Sequence, residues 1–325
     1  MKIALLTIGA VGSILAGVVV AQQKPVAAMF GDDQKRGETI ASSFSTAEIA
    51  PTASAKFPLQ IYLTAGDLAR AFDRAEFRPD AAIVPTNTEL LTTAASPATQ
   101  RVLMDRVRKQ STVMRDLEEQ IAARKKQSPA TADGVLNIGL DSFVALLPRP
   151  GRAQASGAFP KTVCLVATDF AKGGAIDRRE LFAQDRVRKG IAACLTALDA
   201  SGAQSLVLPL MGAASSGTLA KDAAFEGQRL LKECRLLNSV AGIALGIHDF
   251  EPSRRNLREI GVIQYDQELV EMFSLPKGSR IAQTAQNIYR AYTEQVKTAF
   301  RKGLDGQPTT AADVDGSCNA IFTTP

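Results

Sequence analysis

The stretch that decides the fold reads Gln204-Ser205-Leu206-Val207-Leu208-Pro209-Leu210-Met211-Gly212-Ala213-Ala214-Ser215-Ser216-Gly217-Thr218-Leu219. It opens with a short apolar run, passes through six small residues from Gly212 to Gly217, and enters a helical pattern at Lys221. Backbone N–H groups can crowd a phosphate only where side chains are minimal, and the dipole of a following helix adds partial positive charge. The stretch therefore predicts a strand, a loop and a helix N-terminus that can hold an anion.

Strand-like and helix-like segments alternate on both sides of this stretch. Near-continuous apolar runs at 162–167 and 204–210 are typical of parallel strands that are covered on both faces. Other strands are predicted at 57–63, 80–84, 135–138, 143–147 and 242–247, with 261–265 either a strand or a return loop, and helices at 66–72, 97–126, 178–200, 221–237 and 281–301. The alternation predicts an α/β fold, a three-layer α/β/α domain around a mixed sheet. An apolar leader precedes this domain and an amphipathic helix follows it.

Ligands of such sheets bind at the carboxyl ends of the strands. Four loops are predicted to meet there: Gly66-Asp67-Leu68, Thr86-Asn87-Thr88, the small-residue loop from Gly212 to Thr218, and His248-Asp249-Phe250. This edge of the sheet is the candidate site.

In this order, the four loops resemble those of a macro domain, the ADP-ribose-binding module, over residues 57–250, or through 273 with the last strand. Gly66-Asp67-Leu68 is similar to the family's GD[IL] turn, and Asp80-Ala81-Ala82-Ile83-Val84-Pro85-Thr86-Asn87-Thr88 to its strand and Asn motif. Pro209-Leu210-Met211-Gly212-Ala213-Ala214-Ser215-Ser216-Gly217 is similar to its P-x-x-[SG]-x-G-x-x-G loop.

The resemblance implies a role for each loop. Asp67 would accept a hydrogen bond from the adenine amino group with Phe250 stacked nearby, residues 212–217 would wrap the diphosphate, and Asn87 would face the distal ribose. The implied ligand-binding residues are Asp67, Leu68, Asn87, Thr88, Gly212, Ala213, Ala214, Ser215, Ser216, Gly217 and Phe250. No metal and no cofactor are predicted, and no catalytic residue is assigned.

The sequence departs from the family pattern where hydrolytic members need glycine. Pro85 and Thr88 occupy the family's Asn positions, so Asn87 lies one residue out of register. Residues 91–97 replace a Gly-rich segment, and Ala214 replaces the middle glycine of the phosphate loop. Because Cβ atoms resist a close approach of backbone to ligand, hydrolysis is doubtful while nucleotide binding is still expected.

Each candidate residue also has a purely structural interpretation. Asp67 can cap a helix and Asn87 can close an Asx-type turn. Phe250 can be a core aromatic, and the small-residue loop can be an ordinary tight turn. His248, the only histidine, and Asp169 are more simply hydrogen-bonded or solvated residues at strand ends than acid/base groups.

The N-terminus predicts export. Lys2 is followed by an uncharged apolar run, Ile3 to Val20, and small residues precede a possible cleavage after Ala21. An uncleaved membrane anchor, and a buried helix of the fold, are the rival interpretations. The predicted division is a signal peptide or anchor over 1–21, a flexible linker over 22–56, a macro-like domain over 57–273, and a C-terminal helix with a loose tail over 274–325. The domain would be periplasmic, or anchored with the domain outside the cytoplasm.

Composition excludes several classes of function. The net charge of +5 comes from 38 basic and 33 acidic residues, so a dedicated nucleic-acid surface is not required, and low aromatic content argues against single-strand stacking. One histidine excludes a His-rich metal site. The four cysteines, Cys164, Cys194, Cys234 and Cys318, match no zinc spacing and allow three disulfide pairings.

The prediction is therefore an exported macro-like domain that binds ADP-ribose or a related adenine nucleotide. A degenerate macro fold without nucleotide, serving as an envelope scaffold or interaction module, is the first alternative. A hydrolase acting on another phosphorylated or acidic substrate is the second. Membrane contact would come from residues 3–20 if they are not cleaved.

Overall fold

The computed structural model describes residues 43–51, 54–65, 79–87, 111–127, 143–146, 160–169, 184–210, 225–264, 295–310 and 313. The strands are β1 (Ser43–Ile49), β2 (Leu59–Ala65), β3 (Ala81–Asn87), β4 (Phe143–Leu146), β5 (Thr162–Asp169), β6 (Ser205–Pro209) and β7 (Glu259–Gln264). The helices are α1 (Ser111–Gln127), α2 (Gln184–Ala200), α3 (Phe225–Phe250) and α4, whose described part covers 295–304.

All seven strands form one sheet in the order β1-β2-β7-β6-β3-β5-β4. The five central strands run parallel, and β1 and β4 pair antiparallel at the two sides. The amino edge is the side where β2, β7, β6, β3 and β5 begin, and the carboxyl edge is the side where they end. The predicted α/β mixed sheet is confirmed.

Helices cover the sheet on both faces. The chain moves along the sheet in one direction from β3 to β5 and in the other direction from β5 through β6 to β7. Because such crossovers are right-handed, α1 lies on the face opposite α2 and α3. One face of the sheet packs with α2, α3 and α4 in a single apolar cluster, and residues of the other face, such as Val84 and Leu165, are equally inaccessible. The sheet with helices on both faces gives the predicted α/β/α layers.

The first correction concerns residues 242–247, which were predicted as a strand. They lie inside α3, a helix of 26 residues. Every residue from 237 to 247 is buried because α3 packs in the apolar cluster with the sheet, α2 and α4. A helix buried all round has no polar face, so its sequence shows no 3.6-residue period and can be mistaken for a buried strand. The open alternative at 261–265 is settled as a strand, β7.

Two glycines one helical turn apart let α3 approach α2. A Cβ atom on Gly242 would lie 2.7 Å from the Val187 Cβ, and one on Gly246 would lie 2.8 Å from both the Arg188 carbonyl oxygen and the Ile191 Cβ. Backbone atoms cannot move aside as a flexible side chain does. The small residues therefore set the distance between the two helices.

We expect Gly246→Ala to lower the free energy of unfolding by about 1–3 kcal/mol, because overpacking of the helix contact outweighs the ~1 kcal/mol that alanine adds in helix propensity. Chemical denaturation measures this. Thr196→Ala, on the exposed side of α2, is the matched control and should be neutral or stabilising. A Gly246→Ala protein as stable as the control would contradict this close helix contact.

The second correction concerns the expected linker over 22–56. Its residues 43–49 form β1, which pairs with β2 from Ser43↔Thr64 to Ile49↔Leu59. The small polar side chains that made this segment look irregular suit a sheet-edge strand, whose stability comes from the backbone ladder. The linker prediction is wrong for these residues, and the leader lies outside the described part. Among the described helices, none is long and apolar enough to cross a membrane.

The third correction concerns the C-terminal segment, expected to stand apart with a loose tail after Gly303. Val296, Ala299 and Phe300 of α4 are buried in the main core. Beyond the helix, Gln184 Nε2 donates to the Thr309 carbonyl oxygen at 2.7 Å, and the Thr309 N–H donates back to Gln184 Oε1 at 3.1 Å. The described part of this segment is thus integral to the domain.

A buried carboxylate organises the amino edge. Asp199, near the end of α2, is only 3% exposed and accepts hydrogen bonds from the backbone N–H groups of Arg255, Asn256 and Leu257 at 2.9, 2.7 and 2.7 Å. Gly202 closes α2 with φ 87°, a left-handed backbone conformation that favours glycine. The turn into β7 is thereby fixed to the end of α2.

Cys164 of β5 and Cys194 of α2 form a disulfide. Both residues are completely buried in the apolar cluster. Of the three pairings that the sequence left open, the structure therefore selects the one with Cys164–Cys194. The bond joins the sheet to the helix layer above it.

Candidate functional site

The carboxyl edge carries the ends of five parallel strands in a defined order. Along the sheet these ends are Ala65, Gln264, Pro209, Asn87 and Asp169. Neighbouring strands lie about 4.8 Å apart. Loops that leave adjacent strands therefore begin within reach of one ligand.

The edge contains a point where the chain reverses direction. From β3 the chain continues toward β5, whereas from the adjacent strand β6 it continues toward β7. The described helices that follow β3 and β6, which are α1 and α3, therefore lie on opposite faces of the sheet. Open parallel sheets bind their ligands in the crevice that such a reversal leaves.

The sheet also opens at this reversal. Between β6 and β3 only two pairs are present, Ala81↔Leu206 and Ala82↔Val207, both near the amino edge. The β3–β5 ladder, in contrast, continues to Asn87, and the Leu210 N–H still donates to the Ile263 carbonyl oxygen of β7 at 3.2 Å. Within the described strands, β3 and β6 thus lack ladder pairs over their carboxyl halves.

Two prolines explain this opening from the sequence. Pro85 of β3 and Pro209 of β6 both lie beyond the last β3–β6 pair. Proline has no backbone N–H and cannot donate to a ladder. A parallel ladder between these strands therefore loses donors just where the strands approach the carboxyl edge.

The predicted site residues fall into three groups: Asn87 at the opening, residues outside the described part of the chain, and Phe250 at the opposite edge. Asn87 is the last residue of β3 and lies directly at the opening. Asp67 and Leu68 follow the end of β2, Thr88 follows Asn87, and the loop from Gly212 to Gly217 follows the end of β6; all of these lie outside the described residues. The strands that precede them end at the same edge of the sheet, and the binding roles of these residues stay predictions.

Phe250 is the member of the predicted set that the structure removes. It is the last residue of α3, is 1% exposed, and packs in the core. The turn after it leads directly into the start of β7, so Phe250 lies at the amino edge, across the sheet from the opening. The prediction that it stacks on adenine at the carboxyl edge is wrong, and its alternative as a core aromatic is confirmed.

His248 lies near the same end of α3. Its Nδ1 is 2.9 Å from the Leu304 carbonyl oxygen. A Cβ atom on Gly306, whose φ is 74°, would lie 2.6 Å from Nε2, so the glycine makes room for the ring. This histidine connects α3 to the end of α4 and is remote from the carboxyl edge.

Three titratable groups have displaced pKa values, each for a local reason. Burial raises the pKa of Tyr62, and the nearby carboxylates of Glu259 and Glu48 raise it further. A hydrogen bond to Asp249, with Nη2 to Oδ1 at 2.8 Å, raises the pKa of Arg188. A hydrogen bond from the Lys302 ammonium lowers the pKa of the Asp313 carboxyl group.

None of these groups belongs to a strand end on the carboxyl edge. Arg188–Asp249 and Lys302–Asp313 are ion pairs, and the three groups do not form an acid/base pair at the opening. Among the described residues, no group of three or more His, Cys, Asp and Glu is placed to hold a metal ion. The geometry supports a binding site, and catalytic residues remain unassigned.

Asp169 was interpreted from the sequence as a solvated residue at a strand end, and the structure places it at the carboxyl edge beside Asn87. Asp169 ends β5, and its Cα is the register partner of Asn87. The signal in the sequence was only an Asp after an apolar strand. That β5 lies next to β3, and that these two residues stand level, follows from strand order alone.

The fold resembles solved macrodomain structures. The Oceanobacillus iheyensis macrodomain with ADP is 9% identical, with a TM-score of 0.41 over 78% of this chain and 99% of that one. The same macrodomain with MES bound is 8% identical, with a TM-score of 0.38 over 76% and 98%. Thermosipho africanus DarTG in complex with ADP-ribose is 14% identical, with a TM-score of 0.36 over 67% of this chain and 43% of that one.

No family model matches the sequence, and no curated protein matches it.

Proposed function

We propose that this protein binds an ADP-ribose-type nucleotide along the carboxyl edge. The observation that carries the proposal is the opening between β6 and β3 at the reversal of chain direction. The small-residue loop leaves β6 on one side of this opening, and Asn87 ends β3 on the other. The loop proposed to donate backbone hydrogen bonds to phosphate therefore follows one border strand of the opening. The amide proposed to bind a ribose hydroxyl belongs to the other border strand.

The order of the strand ends supports a nucleotide over a lone phosphate. Asp67 follows β2, the small-residue loop follows β6, and Asn87 ends β3, so the three motifs occur in the sequence β2, β6, β3 along the sheet. Their implied partners are the adenine, the diphosphate and the distal ribose. This is the order of the same groups along ADP-ribose.

The protein is proposed to bind the nucleotide without hydrolysing it. The chain has Leu91-Thr92-Thr93-Ala94-Ala95-Ser96-Pro97 at the position where the hydrolytic members of the macro family have glycines for close backbone approach. No described acid/base pair compensates for this. A nucleotide-binding module is therefore the function that the arrangement supports best.

Calorimetry with ADP-ribose tests the proposal. We expect a saturable binding heat and a rise in melting temperature, because a ligand that binds only the folded state stabilises it. Absence of both at millimolar ADP-ribose would overturn nucleotide binding. It would leave a scaffold or interaction module as the function of the fold.

A loop variant tests the site separately from the function. We expect Gly212→Val to weaken ADP-ribose binding about tenfold to a hundredfold, because a charge-assisted hydrogen bond from a crowded backbone contributes ~1.5–3 kcal/mol. Ala200→Val adds comparable bulk at an exposed position on the amino edge and should bind as the unaltered protein does. Equal affinities of the two variants would remove the loop from the site.

Export is the second part of the proposal. A completely buried disulfide, Cys164–Cys194, supports it, because such bonds persist in oxidising compartments and are rare in the cytoplasm. The apolar leader supports it independently. The domain would then bind its nucleotide in the periplasm, free or anchored.

A further inference from the structure

Two turns at the amino edge lie side by side, because β2 and β7, the strands that they enter, are neighbours in the sheet. One turn covers residues 54–58 and the other covers residues 251–258. In these two described turns, the charged side chains that are exposed are all basic: Lys56, Arg255 and Arg258. The two turns, called the basic turns below, therefore form a positively charged surface.

A buried arginine joins the basic turns to each other. Arg254 is only 1% exposed, and its Nη1 donates to the carbonyl oxygens of Phe57 at 2.9 Å and Leu257 at 3.0 Å. Its Nη2 lies 3.4 Å from Oε1 of Glu251, the one carboxylate of these turns. Because Phe57 belongs to one turn and Leu257 to the other, this guanidinium group fixes the turns relative to each other.

The exposed arginines are held at defined positions. The Cζ atom of Arg258 lies 3.8 Å from the centroid of the Phe57 ring, and its backbone N–H donates to the Gln204 carbonyl oxygen at 2.8 Å. Three residues earlier, the backbone N–H of Arg255 donates to the Asp199 carboxylate at 2.9 Å. Stacking on a ring uses only the face of a guanidinium group, so the N–H groups in its plane can still bind a carboxylate.

Phe57 contributes an apolar surface beside these cations. It is 44% exposed, and among the described residues it is the one large apolar side chain that is exposed. Aromatic and arginine side chains are enriched in protein interfaces. An anionic membrane attracts cations without requiring fixed positions, whereas ordered guanidinium groups beside an aromatic ring suit a defined protein partner.

We propose that the basic turns bind an acidic segment of another protein, whose carboxylates pair with Arg255 and Arg258. An apolar side chain of the segment packs on Phe57, and Lys56 pairs with a further carboxylate. Guanidinium groups bind carboxylates through two parallel hydrogen bonds, a geometry that a lysine ammonium group does not reproduce. The surface lies at the edge of the sheet opposite the opening between β3 and β6, so the inference does not rest on the proposed nucleotide binding.

Titration of the full-length protein with a fluorescent acidic peptide tests the proposal. The peptide has pairs of glutamates separated by single leucines, and its matched control has glutamine in place of each glutamate. We expect saturable binding of the acidic peptide only, weakened about fivefold in Arg258→Gln, the upper range for one exposed ion pair of good geometry. Arg115→Gln removes the same charge at an exposed position of α1 and should leave the affinity unchanged.

A charge-conserving variant distinguishes a fixed guanidinium group from diffuse attraction. Arg258→Lys keeps the positive charge and loses the planar fork, so it should bind the acidic peptide nearly as weakly as Arg258→Gln. Full affinity in Arg258→Lys would show that charge alone is recognised and would overturn the proposed pairing.

Three further results would overturn the proposal: equal binding of the two peptides, unaltered affinity in Arg258→Gln, or no binding at millimolar acidic peptide. Weaker binding of Arg258→Gln to phosphatidylglycerol vesicles, with unaltered peptide affinity, would assign the surface to a membrane instead. Thermal melting verifies folding of each variant. If Arg258→Gln does not fold, Lys56→Gln in the other turn replaces it, and unaltered peptide affinity in that variant counts against the proposal in the same way.

Discussion

Replacing Cys164 and Cys194 together by alanine is expected to lower the free energy of unfolding by about 3–4 kcal/mol. The two residues are 30 apart in sequence, and the chain-entropy model assigns about this stabilisation to a closed loop of that length. For a domain of this size the melting temperature should fall by about 10 °C. Both side chains are buried, so their removal also costs packing contacts with the core.

Scanning calorimetry of the double variant measures the fall in melting temperature. A second measurement compares the stability of the unaltered protein with and without reduction of the disulfide by dithiothreitol under denaturing conditions. Thr196→Ala, at an exposed position of α2, is the control, since it preserves the Cys164–Cys194 bond. Peptide mapping of protein produced with its own leader should recover the Cys164–Cys194 pair intact. Free thiols at both positions in that material would refute the disulfide and remove its support for export.

Asp199→Ala is the other change with a large expected effect, a loss of about 3–5 kcal/mol in the free energy of unfolding. The carboxylate accepts three backbone N–H groups, and alanine would leave these donors unpaired in a region where Asp199 itself is 3% exposed. Each hydrogen bond to a charged acceptor contributes ~1.5–3 kcal/mol, and the three are not additive. Urea denaturation monitored by circular dichroism gives the value.

Asp305→Ala serves as the control, because its side chain is exposed and its loss should change stability by less than about 0.5 kcal/mol. The variant also separates stability from binding. Asp199 lies at the amino edge, so Asp199→Ala protein that remains folded should bind ADP-ribose as the unaltered protein does. A variant as stable as the control would show that the turn into β7 does not depend on this carboxylate.

Local patterns were sufficient for the strands that form the middle of the sheet. Apolar runs predicted the segments that became β2, β3, β5 and β6, and the helix that became α2 was also recognised. In each of these elements, the order of apolar and polar residues matches either a buried strand or an amphipathic helix. The part of α3 from 237 to 247 does not, because every residue there is buried and no polar face reveals the helical period.

The same error displaced part of the predicted site. With residues 242–247 taken as a strand, Phe250 appeared to follow a carboxyl end; as the end of a helix, it lies at the opposite edge in the core. Asn87 lies at the end of β3, whose strand was recognised from the sequence, and its binding role stays a prediction. Asp169 was undervalued because nothing local reports which strands are neighbours.

By itself, the sequence determined the composition of each element. It showed which segments are apolar enough to be buried strands, where a run of small residues follows Pro209, and where two prolines remove ladder donors. Only the tertiary structure decided strand order, the opening between β3 and β6, the level of Asp169 beside Asn87, and the pairing of Cys164 with Cys194. The physical reason is that burial and backbone preference act on neighbouring residues. Strand order and pairing, in contrast, depend on contacts between segments far apart in the chain.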